Sequence, residues 1–332
     1  MFSREFDRTR FPLSGRIAGI VLGSILLVIV TASFVSARTV AISFWAVAAA
    51  FFIAAGLRGN LDLRLPRPGP VSLNLGAFLL LALLSTLWAR DSVIPLDKAC
   101  AALLVATSSV VMVSLIEQER RLNLLHMGEG LVIGLVIGLC YLLVELLTDQ
   151  SIKLALFRAL LLKPGDLEPQ RYFEWHGSYL AGISKEGLTR NITPAPLLLW
   201  PVVTVIRATR ERRWRTLGSV GLLMLTVLVV MLSQHESSKL ALVIGLAAFA
   251  ISRLSLRWIW RLATAVWVVA CLAAVPMALL AYRFDLHHAS WLQASARDRI
   301  LIWNYTAEKT LESPWLGIGA DMTYVLGPEQ EK

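Results

Sequence analysis

The stretch IAGIVLGSILLVIVTASFV, residues 17–35, carries no charged side chain over its nineteen positions. A helix needs about 20 mostly apolar residues to cross a bilayer, because roughly 30 Å of hydrocarbon is traversed at about 1.5 Å per residue. A helix also hydrogen-bonds its own backbone polar groups, which hydrocarbon cannot do. The stretch therefore predicts a membrane-spanning helix. The tripeptide VSA at its end resembles a signal-peptide cleavage site, but the long apolar run and the spans that follow favour an uncleaved anchor.

Eight further segments meet the same test. The composition agrees, since 56% of the residues are hydrophobic, 17% are charged and the mean hydropathy is +0.64, values outside the usual range of water-soluble domains. The predicted fold class is all-α, a polytopic membrane helix bundle with about nine transmembrane helices and two excursions outside the membrane. The predicted spans lie at 17–35, 39–57, 71–88, 98–116, 126–147, 191–207, 217–233, 239–256 and 262–281.

Lysine and arginine are distributed unevenly between the two sides of these predicted spans. Seventeen lie on the side of the N-terminus, in the N-terminal segment, the 58–70 loop, EQERR, RATRERRWR and the 253–261 turn. Short cytoplasmic loops accumulate Lys and Arg, so the N-terminus is predicted to be cytoplasmic and the chain to end outside. The short connections on the outer side hold only four such residues, Arg38, Arg90, Lys98 and Lys239.

Two segments outside the predicted spans are long enough to hold chemistry, at 148–190 and 282–332, and both lie on the outer side. No internal repeat, low-complexity tract or Gly/Ser linker divides the chain. The predicted organisation is therefore one membrane domain over 1–281, which includes the 148–190 excursion, followed by the beginning of a large outer loop over 282–332.

The net charge of +9 does not require a nucleic-acid partner. Its cytoplasmic share is the charge that sets topology, and it also suits contact with anionic membrane lipids. The three cysteines, Cys100, Cys140 and Cys271, fall inside apolar spans without metal-ligand spacing. We interpret them as small buried hydrophobes. The sequence predicts no metal site, disulfide framework or cofactor.

The first excursion opens with SIKLALFRALLLKPG, in which Ile152, Leu156, Phe157 and Leu160 recur at helical spacing. This pattern predicts a helix that lies in the membrane interface and ends at Pro164-Gly165. The following segment, DLEPQRYFEWHGSYLAGISKEGLTRN, is dense in aromatic and charged residues. It leads to Arg190 and Asn191 at the mouth of the sixth span. A cation is costly there unless a negative group meets it.

The second excursion contains ARDRILIWNYTAEKTLESPWLGIGAD, residues 296–321. Ser295 and Asp298 form an S-x-x-D capping box, which predicts a helix from about Ala296 to Ser313-Pro314. On this helix Arg299 and Trp303 are four residues apart and share a face. The GIGAD segment predicts a turn, because no strand precedes it and the third glycine of a dinucleotide fingerprint is missing.

The arginines allow two interpretations. The planar guanidinium stays charged and matches phosphate oxygens two at a time, so Arg190 and Arg299 are candidates to hold a diphosphate at the outer membrane surface. Alternatively, Arg190 snorkels at a helix end, and Arg299 pairs with a carboxylate such as Asp298 or Glu308. The residues alone do not decide between these interpretations.

The histidines on the outer side, His176, His235, His287 and His288, could act as general bases near neutral pH. Each is more simply an ordinary loop or packing residue. Lys239 either contacts an anionic head group or anchors its helix, and the anchor is the simpler interpretation. Four aromatic residues could stack on sugars, although interface belts use the same residue types. These are Tyr172, Trp175, Trp291 and Trp315.

Three parts of the sequence together carry a family resemblance. They are the R-x-R-x3-W helix at 297–303 leading into SPWLGIGAD, the span entered through TRNITPAPLLLWPVV, and the short span ESSKLALVIGLAAF. This combination resembles the O-antigen ligase and polymerase family of bacterial envelope enzymes. Such proteins span the inner membrane many times and take a glycan from undecaprenyl diphosphate on the periplasmic side. The ligases pass it to lipid A core, and the related polymerases pass it to another glycan repeat.

The resemblance implies roles for particular residues. Arg190 matches the family arginine at the mouth of the span after the first sizeable outer loop, and Arg299 matches the one on the helix of the large periplasmic loop. Both would stabilise charge on the departing lipid diphosphate, as catalytic residues of a metal-independent glycosyl transfer. The expected substrate-binding residues are Arg297, Trp303, His176 and Lys239. The expected partners are an undecaprenyl-diphosphate-linked glycan, a lipid A core or glycan acceptor, and membrane lipids.

The sequence departs from the family pattern after GIGAD. The large periplasmic loop of the family continues to a histidine motif that supplies a base, and further spans follow, whereas this sequence stops at Lys332. We therefore expect a C-terminally truncated chain that lacks the general base and is inactive as a ligase by itself. His287 and His288 are poor substitutes, because they precede the arginine helix.

Two other functions stay open. One is the polymerase activity of the same family, and the other is a non-catalytic or transport-type envelope protein. Transport is disfavoured because the central halves of the spans carry almost no charged pairs, which transport pathways usually need. Glu145, near the outer end of the fifth span, is a partial exception.

Overall fold

The computed structural model describes residues 13–36, 45, 48–49, 70–89, 93–117, 121–160, 173–177, 179–184, 188–209, 212–292, 294–314 and 317. The chain divides into two compact units. The first comprises residues 1–63 and 112–250, and the second comprises residues 64–111 and 251–332.

The described part of the chain is predominantly helical. Its helices are α1 Leu13–Val35, α2 Pro70–Leu84, α3 Val93–Glu117, α4 Arg121–Leu147, α5 Ser151–Ala159, α6 Thr189–Ile192, α7 Pro194–Thr209, α8 Arg212–Leu232, α9 Glu236–Leu254, α10 Leu256–Arg283 and α11 Ala294–Glu312. Short 3-10 turns lie at Ser85–Leu87 and Leu286–His288.

Long apolar helices occupy most of the predicted spans. Within the described residues, four helical segments are long and apolar enough to cross a membrane, at Leu96–Ser114, Asn123–Leu147, Arg213–Leu232 and Arg257–Arg283. Three shorter apolar helices, Gly19–Val35, Leu73–Leu87 and Pro194–Thr209, coincide with further predicted spans. The predicted span at 39–57 lies almost wholly outside the described residues.

Glycines let α1 and α4 pack closely in the first unit. Gly130, Gly134 and Gly138 follow one another at four-residue spacing on α4. A side chain on Gly130 would collide with the carbonyl oxygen of Gly23, and a Cβ on Gly134 would lie 2.9 Å from the carbonyl oxygen of Leu27. Small residues at this spacing allow membrane helices to approach backbone to backbone. The glycine pattern therefore sets the distance between these two helices.

One hydrophobic core joins α1, α4, α7, α8 and α9. Its fully buried members include Phe34, Leu139, Leu199, Val229 and Leu242. Such interiors are close-packed, so they hold the ends of their helices in fixed positions. The loops that connect these helices therefore start from a rigid base.

A β-hairpin lies in the first excursion, where the sequence predicts no strand. β1 Phe173–His176 pairs antiparallel with β2 Tyr179–Ile183. Gly177 makes the turn with φ of 63°, a left-handed conformation that glycine adopts without steric cost. The strands are too short for a clear alternating pattern, so the all-α prediction omits this hairpin.

The second unit contains α10 and α11, which pack against each other. Between them the chain passes through Asp285, which adopts a left-handed φ of 53°, and the 3-10 turn Leu286–His288. This turn contacts both helices. The connection spans residues 284–293, and because the two helices that it joins pack against each other, they form a helical hairpin.

The prediction that the cysteines are buried is wrong. Cys100, Cys140 and Cys271 are free thiols with exposed side chains on α3, α4 and α10. An apolar residue in a membrane helix can face lipid as readily as protein, because lipid tails are as apolar as the protein interior. Hydrophobicity alone therefore does not identify the packed face.

Candidate functional site

The helix α11 packs against α10 through one of its faces, which we call the inner face. Ile300, Asn304 and Ala307 are buried at positions i, i+4 and i+7, which lie on one side of a helix. The neighbouring face carries Arg299, which is exposed, and Trp303, whose side chain is 54% exposed. Packing of the inner face therefore presents an arginine and a tryptophan on the outer one.

The beginning of α11 differs from the prediction. The helix starts at Ala294, two residues before the predicted start, so Ser295 lies inside its first turn and is not the cap residue. The helix ends at Glu312, which agrees with the predicted stop at Ser313-Pro314. The backbone N–H of Gly317 then donates to the carbonyl oxygen of Ser313 at 3.0 Å, and Gly317 has φ of 65°, which places a turn at the start of GIGAD.

The guanidinium of Arg299 is free of the carboxylates that could neutralise it. The amide of Asn304 donates to Oε1 of Glu308 at 2.8 Å. Within the part of the chain that the structure describes, Arg299 makes no hydrogen bond or ion pair, with Asp298 and Glu308 included. An exposed cation without an internal partner can accept an external anion.

An apolar groove of about 520 Å³ lies between α10 and α11. The two polar residues on its wall, Thr306 and Thr310, donate their hydroxyl hydrogens to helix carbonyls at 2.8 Å, so they contribute little polarity. The groove therefore suits an apolar ligand. Its lining residues are Ala274, Val275, Met277, Ala278, Ala281, Trp303, Thr306, Ala307 and Thr310.

Arg299 stands one helical turn before the groove. It precedes the wall residue Trp303 by four positions, and Thr306 and Thr310 continue the same line along α11. A fixed positive charge and an apolar channel thus follow each other along one helix. Arg297, which is half-buried, lies in the turn before Trp303 on the same helix.

The histidines of the second unit lie in a ring stack beside this helical hairpin. The ring of His287 stacks on Tyr282, with centroids 4.7 Å apart and an interplanar angle of 11°. The His288 ring is 4.1 Å from the His287 ring. The sequence does not predict this stack, because the rings meet only when the turn after α10 folds back.

The first unit holds the other predicted residues, each on a different element. Arg190 lies in α6, between Leu188 and Ile192, which are both buried. The adjacent Asn191 is also buried, and its amide donates to the carbonyl oxygen of Val35 at 2.8 Å. This bond ties the backbone beside Arg190 to the end of α1. The side chain of Arg190 lies outside the described side chains.

The structure describes the surroundings of His176 and of Lys239. His176 is exposed at the end of β1, directly before the hairpin turn. Lys239 donates from Nζ to Oε1 of Glu236 at 2.9 Å. The nearby ring nitrogen Nδ1 of His235 lies 2.6 Å from the Ser238 hydroxyl. The local ion pair of Lys239 matches the anchoring interpretation more closely than contact with a head group.

Glu145 and Lys153 form a polar contact between α4 and α5, which the sequence indicates only weakly. Glu145 is fully buried, and its Oε1 accepts a hydrogen bond from the backbone N–H of Lys153 at 2.9 Å. Burial lowers the pKa of the Lys153 ammonium, and the nearby Glu145 carboxylate opposes this shift. The signal in the sequence is an acidic residue at the end of an apolar span, followed within eight residues by a cation.

The groove also has a signal in the sequence, although the motifs above do not include it. Ala274, Ala278 and Ala281 recur at intervals of four and three residues near the end of the last apolar span. Small residues at this spacing leave room beside a helix. Metal-ligating residues form no comparable group, because the described His, Cys, Asp and Glu side chains nowhere assemble three potential ligands.

A comparison with known protein families finds a match for part of the chain. Residues 197–332 match the family described as O-antigen ligase. The matched segment contains α11 with Arg297, Arg299 and Trp303, and it also contains Lys239, whereas His176 and Arg190 precede it. Neither a curated protein nor a solved structure matches the chain. The chain is thus a membrane protein whose residues 197–332 are similar to the family described as O-antigen ligase.

Proposed function

We propose that this protein takes part in the transfer of an O-antigen-type polysaccharide from undecaprenyl diphosphate to lipid A core at the periplasmic face of the bacterial inner membrane. The observation that carries the proposal is the free guanidinium of Arg299 one helical turn from an apolar groove. The family match over 197–332 supports the same class of reaction.

The two halves of the donor correspond to the two parts of this site. A diphosphate offers oxygens that a planar guanidinium binds in pairs. An isoprenoid chain is apolar and flexible. It can therefore occupy the apolar groove, whose lining includes alanines, Val275 and Met277. A soluble phosphate compound would use only the arginine, whereas a lipid-linked diphosphate uses both parts.

The proposed reaction is a displacement at the anomeric carbon of the glycan. The acceptor hydroxyl oxygen forms a bond to that carbon while the bond to the diphosphate oxygen breaks, and a base takes the hydroxyl proton. Negative charge therefore grows on the leaving diphosphate. Arg299 would stabilise that charge, and preorganised electrostatic stabilisation of this kind often contributes more to catalysis than any other effect. No metal takes part in this scheme.

The remaining residues have smaller proposed roles. Trp303 would contact the donor, because it forms the wall of the groove nearest to Arg299, and Arg297 would add positive charge. Arg190 is a second candidate for the diphosphate, in line with the family resemblance. His176 and Lys239 stay candidates for contacts with the glycan.

The proposed topology has nine spans and a cytoplasmic N-terminus. α10 begins beside Arg253, Arg257 and Arg261, which the charge rule places on the cytoplasmic side. The groove residues 274–281 lie near the other end of α10. This topology therefore puts the groove at the depth of the outer leaflet, where a lipid-linked donor would enter.

Binding of two diphosphates to the purified full chain in detergent tests the proposal. Undecaprenyl diphosphate carries a long chain, whereas geranyl diphosphate carries a short one, and native mass spectrometry measures the affinity for each. We expect Arg299→Ala to weaken both ligands about 10- to 100-fold, which corresponds to the roughly 1.5 to 3 kcal/mol of a charged hydrogen bond. Ala274→Phe fills the groove and should weaken only the long-chain ligand.

Two matched variants control for unspecific effects. Ala270→Phe places the same ring on an exposed position of α10 outside the groove. Lys309→Ala removes a different cation from α11, one that is paired with Glu312. Both should bind the two diphosphates like the wild type. Wild-type affinity of Arg299→Ala and Ala274→Phe for the long-chain ligand would contradict the proposal.

A further inference from the structure

The helix α5 presents its apolar residues outwards and its charged residues inwards. Ile152, Leu156 and Leu160 are 46%, 46% and 59% exposed and form one stripe at four-residue spacing. Lys153 and Arg158, by contrast, are half-buried. A helix surrounded by water would show the reverse arrangement.

Hydrogen bonds hold the side chain of Arg158 in place. Arg158 donates from Nε to the carbonyl oxygen of Leu180 at 2.9 Å and from a terminal nitrogen to that of Ala181 at 3.2 Å. These carbonyls belong to β2, so the guanidinium fastens α5 to the hairpin. A buried charge needs such partners, and the exposed stripe therefore has no charge of its own.

The beginning of α5 is fastened as well. The side-chain amide of Gln150 donates to the carbonyl oxygens of Ile183 and Ser184 at 3.1 and 2.8 Å. Glu145 accepts the N–H of Lys153, a free donor in the first turn of the helix. The chain turns sharply through Asp149 and Gln150, whose φ values are 48° and 65°. These contacts determine which face of α5 points outwards.

The stripe follows shortly after the exposed end of α4. That helix is long and apolar enough to cross a membrane and ends at Leu147, which is 66% exposed. α5 begins four residues later, at Ser151. Such a short connection keeps α5 close to the level at which α4 leaves the hydrocarbon.

We infer that α5 is embedded in the hydrocarbon of the leaflet at which α4 ends, with Ile152, Leu156 and Leu160 in contact with acyl chains. The inferred depth exceeds that of an ordinary interfacial helix, whose charged residues contact head groups. In α5 the guanidinium of Arg158 instead binds carbonyls of β2 inside the protein and so fastens the helix to the hairpin. The membrane thus holds the hairpin, with His176 at its turn, close to the bilayer surface.

Spin labels on the full chain in phosphatidylethanolamine and phosphatidylglycerol vesicles test this inference. The exposed native cysteines are first replaced by serine, and Ile152, Leu156 and Leu160 are then changed to cysteine one at a time. Collision with oxygen, which dissolves in hydrocarbon, is compared with collision with a water-soluble nickel chelate. We expect several-fold more oxygen than nickel collision at all three sites. Glu174→Cys, on the exposed part of β1, should show the reverse.

Other outcomes would overturn the inference. Nickel collision at the stripe equal to that at position 174 would place α5 in water. Exclusion of both reagents would mean that protein, such as a second copy, covers the stripe. The readout does not involve glycan or diphosphate, so its failure is distinct from failure of the proposed glycan transfer.

Discussion

The side-chain amide of Asn191 donates a hydrogen bond of 2.8 Å to the carbonyl oxygen of Val35, across 156 positions of sequence. Val35 is the last residue of α1, where helix carbonyls lack partners within the helix. Asn191 is buried beside Arg190, at the start of the sixth predicted span. One amide thus satisfies the end of one helix and fixes the start of another.

Asn191→Ala should destabilise the protein by about 1 to 3 kcal/mol, because it leaves the carbonyl oxygen of the half-buried Val35 without its donor. Unfolding in detergent micelles, followed by circular dichroism, measures this change. Thr204→Val is the control, since the exposed Thr204 hydroxyl donates only to the carbonyl oxygen of Pro201 in its own helix. Its effect should stay within about 0.5 kcal/mol. Equal stability of both variants would show that the Asn191 bond contributes nothing.

Gly130→Ala should destabilise the pair α1 and α4. The added methyl group would collide with the carbonyl oxygen of Gly23, so the backbones must separate, and overpacking of this kind typically costs about 1 to 3 kcal/mol. Gly221→Ala is a matched control in α8, because a Cβ there meets nothing within 4 Å. Thermal unfolding should show a lower midpoint for the first variant and an unchanged or higher midpoint for the second. Identical midpoints would contradict the close packing.

The orientation of the chain can be tested by cysteine labelling from outside the cell. Single cysteines at Asp166 and Glu211, in a background without the native cysteines, should differ in their reaction with an impermeant maleimide. The charge distribution predicts that position 166 reacts and position 211 does not. The reverse pattern would invert the topology and remove the groove from the periplasmic leaflet.

Arg299→Ala should abolish glycan transfer in a member of the family that carries this segment, while the protein level stays nearly normal. Arg299→Lys should restore the activity only in part, because a point charge cannot reproduce the paired donors of a guanidinium. Glycan-capped lipopolysaccharide on a gel reports the activity, and Lys309→Ala is the control on the same helix. Full capping by the alanine variant would reduce Arg299 to a surface residue.

Lys153 makes stability depend on pH. Its pKa is lowered from the ordinary value of 10.5 by burial, with Glu145 opposing the shift. Between the lowered pKa and 10.5 the unfolded state binds more protons than the folded one, so stability rises with pH through this window and is lower below it. Unfolding midpoints at pH 8 and 10.5 should therefore differ less in Lys153→Met than in the wild type. The methionine retains the backbone N–H that Glu145 accepts. An equal difference in both proteins would refute the role of Lys153.

Hydrophobic length was sufficient to predict most of the described helices. Apolar runs long enough to cross hydrocarbon identify a membrane helix without knowledge of its neighbours, because the bilayer imposes the length. The R-x-R-x3-W pattern likewise predicted that Arg299 and Trp303 share a face of α11, because a helix has a fixed period.

The β-hairpin and the polar contacts that hold α5 depend on residues far apart in the sequence, so local sequence does not encode them. β1 has four residues and β2 has five, too few for alternation to stand out. The helical spacing of apolar residues in α5 gives no sign that Arg158 binds carbonyls 22 and 23 positions away. Only the folded chain shows which side of α5 is turned inwards.

Hydrophobic length and short motifs are local properties, so the amino-acid pattern was enough to predict the helical membrane class and the resemblance of residues 197–332 to the O-antigen ligase family. The tertiary structure alone decided which faces are packed. Among the described residues it left Arg299 unpaired, one helical turn before the groove between α10 and α11, and it turned the three cysteines outwards. In a membrane protein an apolar side chain can face either lipid or protein, so hydrophobicity does not choose between them. Close contacts such as the one between Gly130 and Gly23 make that choice.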